Sequence, residues 1–388
     1  MSFVPSQYRL GITAGGQLGK MLAQAAIAWD IPVVVMDDDP ACAARQLGMK
    51  FLKGNPRFRE DLLKLGKEIN LLALEIEHVS IEGLFDLQRA GIRIIPDPES
   101  LALIQDKGLQ KKRLAEKGIP TLPFVLLDHE EEIVEAVQQG RMQLPFVQKT
   151  RKLGYDGRGV KRVDSMEDLS DLLAGPSVIE QLCDIEKEIS LIVAGNSHGE
   201  TCVYPPVEMV FHPEANLVSY LLCPARLTAS QAEEASRIAI ETYHAFNPGG
   251  LLAVEMFLDK QGKCWVNEVA PRPHNSGHHT IEACVTSQYE QQLRCLLGLP
   301  FGNTGLIKPA AMVNLLGEPG YSGIPRYEGF EEVLKLPEVY VHIYGKQQTR
   351  PFRKMGHVTL LGKDIEELTE KVEFVKQKLK VKAWTNHW

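Results

Sequence analysis

The sequence predicts a protein of several domains that combines α/β and α+β structure. At 388 residues the chain is longer than one hydrophobic core usually is, so two or three domains are expected. Residues 9–36 alternate strand, glycine-rich turn, helix and strand, which is typical of a parallel sheet. Residues 249–268 instead predict two antiparallel strands joined by a short turn.

The composition narrows the class of protein. Hydrophobic residues make up 44% and charged residues 24% of the chain, as in soluble globular proteins. The net charge of −7 comes without a long basic run, so nucleic-acid binding has little electrostatic support. The seven cysteines form no CxxC pair, which argues against a disulfide framework or a zinc cluster. Because no signal pattern and no apolar run of membrane length appear, we expect a cytoplasmic protein without membrane partners.

The first predicted strand is followed by a glycine-rich turn at residues 14–19. Its glycines imperfectly resemble a dinucleotide-binding fingerprint, and Asp37 follows the second strand, where such enzymes hold a ribose hydroxyl. Two interpretations stay open. Any unit of this kind needs glycines for close packing of strand and helix, whereas a functional turn would present the helix N-terminus to a phosphate.

A further strand at residues 71–79 carries Glu75 and Glu77. We expect at least one of these carboxylates at the carboxyl edge of the parallel sheet, where ligands bind. A solvated strand end is the alternative interpretation. Residues 96–100 contain two prolines and predict a linker, and a helix is predicted over residues 101–117.

Two predicted antiparallel strands, at residues 146–149 and 160–163, flank a loop at residues 150–159. Three glycines within six residues predict a mobile loop. The basic side chains at or beside this loop are Lys149, Arg151, Lys152 and Arg158. A flexible cationic loop can cover a polyphosphate during reaction. A plain hairpin turn is the alternative, but a turn does not need four bases around three glycines.

Glu180 and Glu188 lie in two successive predicted strands, at residues 177–183 and 185–193. Glu180 could accept a hydrogen bond from an adenine amino group, and Glu188 could accept from ribose hydroxyls. Taken alone, each is also an ordinary charged residue near a strand edge.

The hairpin at residues 249–268 carries Glu255 among apolar neighbours and ends in Asn267 and Glu268. An unpaired carboxylate among apolar residues is costly, so a buried pair needs a counter-charge. Mg²⁺ takes carboxylate oxygens and bridges phosphates, so these side chains predict a magnesium site. Two ordinary surface glutamates are the less favoured alternative.

A rigid polar segment follows at residues 265–279, and its donors include Arg272, His274, Asn275 and Ser276. Such a density of different polar groups suits an anion beside a polyhydroxylated substrate. Near the end of the chain, a cationic run ahead of a predicted strand at residues 358–361 contains Lys346 and Arg353. These bases could meet a substrate phosphate, or the run could be a solvated edge.

Four motifs, at residues 15–21, 154–159, 267–278 and 353–357, are together similar to those of the ATP-grasp enzymes. More closely, the sequence resembles the 5-(carboxyamino)imidazole ribonucleotide synthetases. The resemblance implies a three-domain ATP-grasp fold, usually a homodimer. We therefore expect an N-terminal Rossmann-like (preATP-grasp) domain at 1–97, an ATP-grasp domain at 98–300 with a lid subdomain at about 120–185, and a small β-rich C-terminal domain at 301–388.

The resemblance also implies a reaction. ATP, bicarbonate and 5-aminoimidazole ribonucleotide would give ADP, phosphate and the carboxyamino product, which a mutase of the purine pathway would take up. Three alternatives stay open: another ATP-grasp carboxylate–amine ligase or formate-dependent ribonucleotide transformylase, a nucleotide-binding regulatory protein without catalysis, and a dinucleotide-dependent oxidoreductase. The last explains only the start of the chain.

Site residues are carried over by motif. Mg²⁺ would be held by Glu255 and Glu268. ATP would contact Lys107, Lys149, Gly154, Tyr155, Asp156, Gly157, Arg158, Gly159, Glu180, Gln181, Leu182, Cys183, Glu188, Asn267 and Glu268. The ribonucleotide and bicarbonate would be surrounded by Gly16, Gln17, Leu18, Glu77, Tyr155, Arg158, His274, Asn275, Ser276, Lys346, Arg353 and Lys354. Catalytic roles are expected for Asp156, as acceptor of the amine proton, and for Arg272 and Lys346.

Overall fold

The computed structural model describes residues 3–152, 154, 159–196, 198–213 and 217–384. It begins with a five-stranded sheet in the order β3-β2-β1-β4-β5, in which every pair is parallel. The elements are β1 (Leu10–Thr13), α1 (Gln17–Ile27), β2 (Val33–Asp37), β3 (Lys50–Lys53), α2 (Arg59–Gly66), β4 (Leu71–Leu74), α3 (Ile81–Arg89) and β5 (Arg93–Ile95). The strand order reverses between β1 and β4, and the carboxyl ends of these strands are where ligands of doubly wound sheets bind.

Two helices follow, α4 (Pro98–Ile104) and α5 (Lys107–Glu116). The prediction of one helix over residues 101–117 is therefore wrong. The side chain of Asp106 accepts hydrogen bonds from the amides of Gly108 and Leu109, and such a cap begins a new helix. As a result, Lys107 lies in the first turn of α5, with Lys111 one turn later on the same face.

A small antiparallel sheet comes next, in the order β6-β9-β7-β8. Its elements are β6 (Phe124–Leu127), α6 (Glu130–Gln138), β7 (Phe146–Thr150), β8 (Val160–Val163) and β9 (Ser177–Gln181). The antiparallel pairing of β7 with β8 confirms the predicted strands on either side of the cationic loop. Ile133 of α6 packs on Phe146, Val163 and Ile179 to form the core beneath this sheet.

The rest of the chain builds a nine-stranded sheet in the order β15-β14-β10-β12-β13-β16-β19-β18, with β11 beside β10. Up to residue 300 the elements of this part are β10 (Ile185–Gly195), β11 (Thr201–Val203), β12 (Val207–Phe211), β13 (Val218–Cys223), α7 (Ala229–Phe246), β14 (Leu251–Asp259), β15 (Cys264–Ala270), α8 (Thr280–Ala283) and α9 (Gln288–Leu297). After residue 300 they are β16 (Ala310–Leu316), β17 (Pro325–Glu328), α10 (Phe330–Val333), β18 (Val339–Ile343), β19 (Lys354–Leu361), α11 (Ile365–Lys378) and β20 (Lys380–Ala383). Strands β17 and β20 pair with each other in a separate two-stranded sheet. Because β13 pairs with β16, the sheet crosses the predicted domain boundary at residue 300.

Several strand ends differ from the predictions. Strand β4 ends at Leu74, so Glu75 and Glu77 follow the strand instead of lying within it. Strand β15 continues to Ala270, so Asn267 and Glu268 lie inside the strand and not at its end. Across the described ranges, no helix is both long and apolar enough to cross a membrane.

Candidate active site

Three carboxylates share one face of the large sheet. Glu255 of β14 stands directly opposite Glu268 of β15. On the other side of β14, Glu255 is opposite Ser190 of β10, and Glu188 lies two residues before that serine on the same face. Like charges opposite each other destabilise a sheet unless a cation joins them. The carboxylates on this face therefore need a positively charged group nearby to offset their repulsion.

A β-bulge in β15 shapes the same site. Glu255 pairs with Glu268, but the next residue of β14, Met256, pairs with Val266. Asn267 is the extra residue, and bulges of this kind re-aim a side chain. The Asn267 Oδ1 atom accepts a hydrogen bond of 2.7 Å from Lys149 Nζ. The amide oxygen predicted for the ATP site thus contacts the lysine predicted for the same site.

A lysine and a histidine of the protein contact two of the carboxylates. Lys107 Nζ forms an ion pair with Glu268 Oε2, and His274 Nε2 lies 3.2 Å from Glu255 Oε1. Burial alone would raise the pKa of Glu268, but Lys107 outweighs it and lowers that pKa to about 2. No ion pair of Glu188 is found among the described residues, and burial, together with the charge of Glu255, raises its pKa to about 7.

In the part of the chain that the structure describes, no group of three His, Cys, Asp or Glu side chains is already arranged to hold a metal ion. Lys107 and His274 contact the two opposed carboxylates. The donor set nevertheless fits Mg²⁺, because two opposed carboxylates with an amide oxygen beside them are the hard oxygen ligands that this ion prefers.

Glu180, predicted to contact adenine, is 2% exposed. Its Oε2 atom lies 2.8 Å from Lys149 Nζ, and its Oε1 atom lies 3.1 Å from Lys111 Nζ. Burial would raise the pKa of Glu180, but the two lysines outweigh it and lower that pKa. Both carboxylate oxygens therefore face ammonium groups. Gln181, Leu182 and Cys183 follow at the surface end of β9, exposed or half-buried.

Backbone amides of the glycine-rich turn donate hydrogen bonds to two carboxylates of the protein itself. The Gly15 amide donates to Asp37 Oδ2 at 2.6 Å, and the Leu18 amide donates to Glu75 Oε1 at 3.2 Å. Glu75 is 7% exposed, and burial raises its pKa. The Asp37 carboxylate thus accepts a hydrogen bond from the backbone of the protein. The dinucleotide interpretation needs this carboxylate as a free acceptor for a ribose hydroxyl.

Arg272 connects the two sheets across the site. Its Nη2 atom lies 2.7 Å from Glu77 Oε1, beyond the end of β4, while Arg272 itself follows β15.

Two basic side chains of the C-terminal segment donate hydrogen bonds to backbone carbonyls: Lys346 Nζ donates to Lys354 O at 2.7 Å, and Arg353 Nη1 donates to Gln348 O at 2.7 Å.

The loop after β15 is held in place by hydrogen bonds. Ser276 Oγ lies 2.9 Å from both His274 Nδ1 and Ser190 Oγ. Asn275 and Asn314 exchange amide hydrogen bonds of 2.9 and 3.0 Å. Together with the His274 contact to Glu255, these bonds place the predicted substrate residues directly beside the predicted metal ligands.

Four residues of the predicted lid, Tyr155, Asp156, Gly157 and Arg158, lie outside the described residues. The base of the loop is defined by a hydrogen bond of 2.9 Å from the Thr150 amide to Gly159 O.

Sequence reasoning missed Lys111 and Asn314. Lys111 follows Lys107 by four residues, and that spacing could have signalled a second lysine on the same helix face. Asn314 lies within a strand whose other residues are apolar and, apart from Leu316, buried, and its polarity at that position is the local signal.

Three family models match the chain in succession: the ribonucleotide synthetase preATP-grasp domain at residues 8–105, the ATP-grasp domain at 112–289, and the phosphoribosylaminoimidazole carboxylase C-terminal domain at 310–371. The two sheets, the smaller sheet between them in sequence and the opposed carboxylates agree with these matches. The molecule is an ATP-grasp enzyme, as predicted, with a preATP-grasp domain before and a small C-terminal domain after the ATP-grasp domain.

Individual relatives narrow the class. The chain is 35% identical over 371 residues to N5-carboxyaminoimidazole ribonucleotide synthase of Bacillus subtilis, with 93% of this chain and 94% of that protein covered. The crystal structure of the synthetase from Thermotoga maritima is similar with a TM-score of 0.89 and 40% identity, covering 97% of this chain and 100% of that one. The enzyme from Aspergillus clavatus, solved with ADP and 5-aminoimidazole ribonucleotide, has a TM-score of 0.87 and 29% identity, covering 96% and 98%.

The chain belongs to the N5-carboxyaminoimidazole ribonucleotide synthase family. It is accordingly an ATP-dependent ligase of purine biosynthesis, which confirms the family predicted from the four motifs.

Proposed function

We propose that this protein uses ATP and bicarbonate to carboxylate the exocyclic amine of 5-aminoimidazole ribonucleotide, releasing ADP and phosphate. One observation carries the proposal. The opposed pair Glu255 and Glu268 lies beside the loop of His274 to Ser276, and His274 contacts Glu255 directly. In this proposal, the nucleotide site and the site for the second, polar substrate would meet at one pair of strands.

The first chemical step activates bicarbonate, which is a poor electrophile. A bicarbonate oxygen attacks the γ-phosphorus of ATP, the bond to the bridging oxygen breaks, and ADP leaves as carboxyphosphate forms. Lys107 and Lys149 would hold the phosphates. Glu255 and Glu268 would hold Mg²⁺, with Asn267 nearby, and this ion would spread the charge of the transferred phosphoryl group.

The second step forms the carbon–nitrogen bond. The amine nitrogen attacks the carbonyl carbon of carboxyphosphate, phosphate leaves, and the amine gives up a proton. Asp156 is the proposed acceptor of that proton. Arg272 would hold the bicarbonate or carboxyphosphate oxygens, since its guanidinium already binds a carboxylate, that of Glu77, in this structure. Water would be excluded by the loop at residues 154–159.

The remaining proposed contacts follow the predicted residues. Glu180 to Cys183 and Glu188 would hold adenine and ribose of ATP. Gly16, Gln17, Leu18 and Glu77 would contact the ribonucleotide from the first sheet. Tyr155, Arg158, His274, Asn275 and Ser276 would do so from the lid and the loop after β15. Lys346, Arg353 and Lys354 would meet its phosphate from the C-terminal strands.

The test is ADP release measured with and without bicarbonate, and with and without 5-aminoimidazole ribonucleotide. We expect release to require both, and the variant Glu268→Gln to lose it. Release that needs formate in place of bicarbonate, or an amino acid in place of the ribonucleotide, would assign the protein to another ATP-grasp reaction. Absence of release with every substrate set would favour the nucleotide-binding regulatory alternative.

We also propose a homodimer located in the cytoplasm, whose product passes to a mutase that moves the new carboxyl group. Support for the dimer comes from the outer edge of β18, which ends the described sheet and exposes Tyr340 and Ile343. Val285 and Ile307, each of which follows a residue of the isolated bridge between Cys284 and Leu306, are exposed as well. The molecular mass in sedimentation, measured for the wild type and for Ile343→Glu, tests the dimer: a dimeric wild type and a monomeric variant are expected.

A further inference from the structure

Lys111 is a buried charge with no place in the proposed chemistry. It lies on α5 and is 2% exposed. Its Nζ atom lies 2.8 Å from Thr121 Oγ1, 3.3 Å from Val266 O and 3.1 Å from Glu180 Oε1. A buried ammonium group is costly unless it is paired and hydrogen-bonded. The three partners meet that requirement, so these contacts hold the Lys111 ammonium group in one specific position.

The three partners belong to different parts of the molecule. Val266 lies in β15 of the large sheet, and Glu180 lies in β9 of the small sheet. Thr121 lies just before β6, where the chain enters the small sheet, and it forms a parallel bridge with Val266. Lys111 therefore joins α5, the small sheet and the large sheet at their junction.

The Glu180 carboxylate connects Lys111 to Lys149. Lys111 holds one oxygen of the Glu180 carboxylate and Lys149 holds the other. Lys149 in turn donates to Asn267 of the large sheet. Without Lys111, Glu180 would keep Lys149 as its sole ammonium partner and would draw that lysine toward itself.

We propose that Lys111 is a positioning residue for ATP: it fixes the Glu180 carboxylate and thereby aims the Lys149 ammonium group at the nucleotide phosphates. The inference rests on the proposed role of Lys149 in binding ATP. Burial lowers the pKa of Lys111 to about 8, with Glu180 opposing the decrease, so the group remains charged at neutral pH.

Loss of the Lys111 charge is expected to affect the binding of one substrate only. Lys111 contacts Glu180, Thr121 and Val266, none of which belongs to the loop of His274 to Ser276 or to the C-terminal bases. Loss of its charge is therefore expected to weaken ATP and ADP binding without changing recognition of the ribonucleotide.

The test compares Lys111→Met with Lys112→Met, a neighbour on the same helix that is exposed to solvent. ADP affinity is measured by calorimetry without any acceptor substrate, and KM is measured for ATP and for the ribonucleotide. For Lys111→Met we expect ADP affinity to fall and KM for ATP to rise on the order of 10-fold or more, with KM for the ribonucleotide within about 2-fold. Lys112→Met should match the wild type.

A second comparison distinguishes a positioning role of Lys111 from a packing role. It also keeps the proposal testable if Lys111→Met folds poorly. In a Glu180→Gln background, Lys111→Met should lower ADP affinity by less than about 2-fold, because the carboxylate it orients is gone. An equal loss in both backgrounds would overturn the proposal, as would wild-type ADP affinity in Lys111→Met. A wild type that binds ADP but does not turn over the ribonucleotide would reject the proposed reaction and leave this comparison intact.

Discussion

Glu255 and Glu268 stand opposite each other on neighbouring antiparallel strands, and each contacts a nitrogen of another side chain. Lys107 pairs with Glu268, and His274 lies beside Glu255. Side chains of the protein itself therefore contact both carboxylates. Binding of magnesium–ATP would have to replace these contacts, which makes Lys107 available for the phosphates.

Substitution of Glu268 tests this arrangement. Glu268→Gln keeps the size of the side chain but removes the charge that would hold the metal ion, so ADP release should fall by about 100-fold or more. Glu241→Gln, on the exposed face of α7, is the matched control and should retain full activity. Turnover of Glu268→Gln within about 2-fold of wild type would contradict the assignment of this residue.

Arg272 is expected to bind an anion through its planar guanidinium group. Arg272→Lys keeps the charge but cannot form two parallel hydrogen bonds. We expect kcat/KM for bicarbonate to fall by about 10- to 100-fold, the equivalent of one or two hydrogen bonds to a charged group. The exposed Arg326→Lys serves as control. An unchanged kcat/KM for bicarbonate in Arg272→Lys would place the anion elsewhere.

Three buried histidines predict a dependence of stability on pH. His278, His279 and His357 are each at most 1% exposed, and the rings of His278 and His357 stack at 4.7 Å. Burial lowers the pKa of all three, to about 4 for His279 and well below 6.5 for the others. The folded protein therefore keeps them neutral while the unfolded chain takes up protons below its own pKa of about 6.5.

Their contribution to stability is complete above pH 6.5 and is lost progressively as the pH falls toward 4. The free energy of unfolding, from urea denaturation at pH 7, 6 and 5, should decrease as the pH falls, with a slope that approaches about 1.4 kcal/mol per pH unit for each such histidine once the pH is well below 6.5. His357→Gln should reduce this slope, whereas His244→Gln, at an exposed position, should not. A slope that does not change in His357→Gln would contradict the prediction.

The turn before α1 leaves no room for a side chain at Gly16. A Cβ atom there would overlap Glu75 Oε1, the acceptor for the Leu18 amide. Gly16→Ala should destabilise the protein by about 1–3 kcal/mol, measured as the free energy of unfolding. Shortening the acid in Gly16→Ala/Glu75→Asp should restore part of that loss. Failure of the double variant to recover any stability would mean that the overlap with Glu75 is not the cause.

Glu255 and Glu268 could be proposed as magnesium ligands from the sequence because the necessary information is local. Glu255 lies among apolar residues of one strand, and Asn267 with Glu268 lies in the next, across a short turn. The position of Asp106 was equally visible, but its capping role was not anticipated, so the break between α4 and α5 was missed.

Other features depend on contacts between distant segments. Lys111 lies in a run of polar residues and looks solvent-exposed in sequence, yet its partners Glu180 and Val266 come from two different sheets. Likewise, the pairing of β13 with β16 joins segments far apart in the chain. Strand order of this kind is set by which apolar faces pack together, and no short stretch of sequence encodes it.

The continuity of the nine-stranded sheet has a consequence for synthesis on the ribosome. The five strands of the first sheet are all present once β5 has emerged, so this part can fold early. The edge of β13 stays open until β16 arrives, and β19 must follow before β18 can pair. A nascent chain therefore exposes an unpaired strand edge until β19 has emerged, and the interval between the synthesis of β13 and that of β19 is when a chaperone would be needed most.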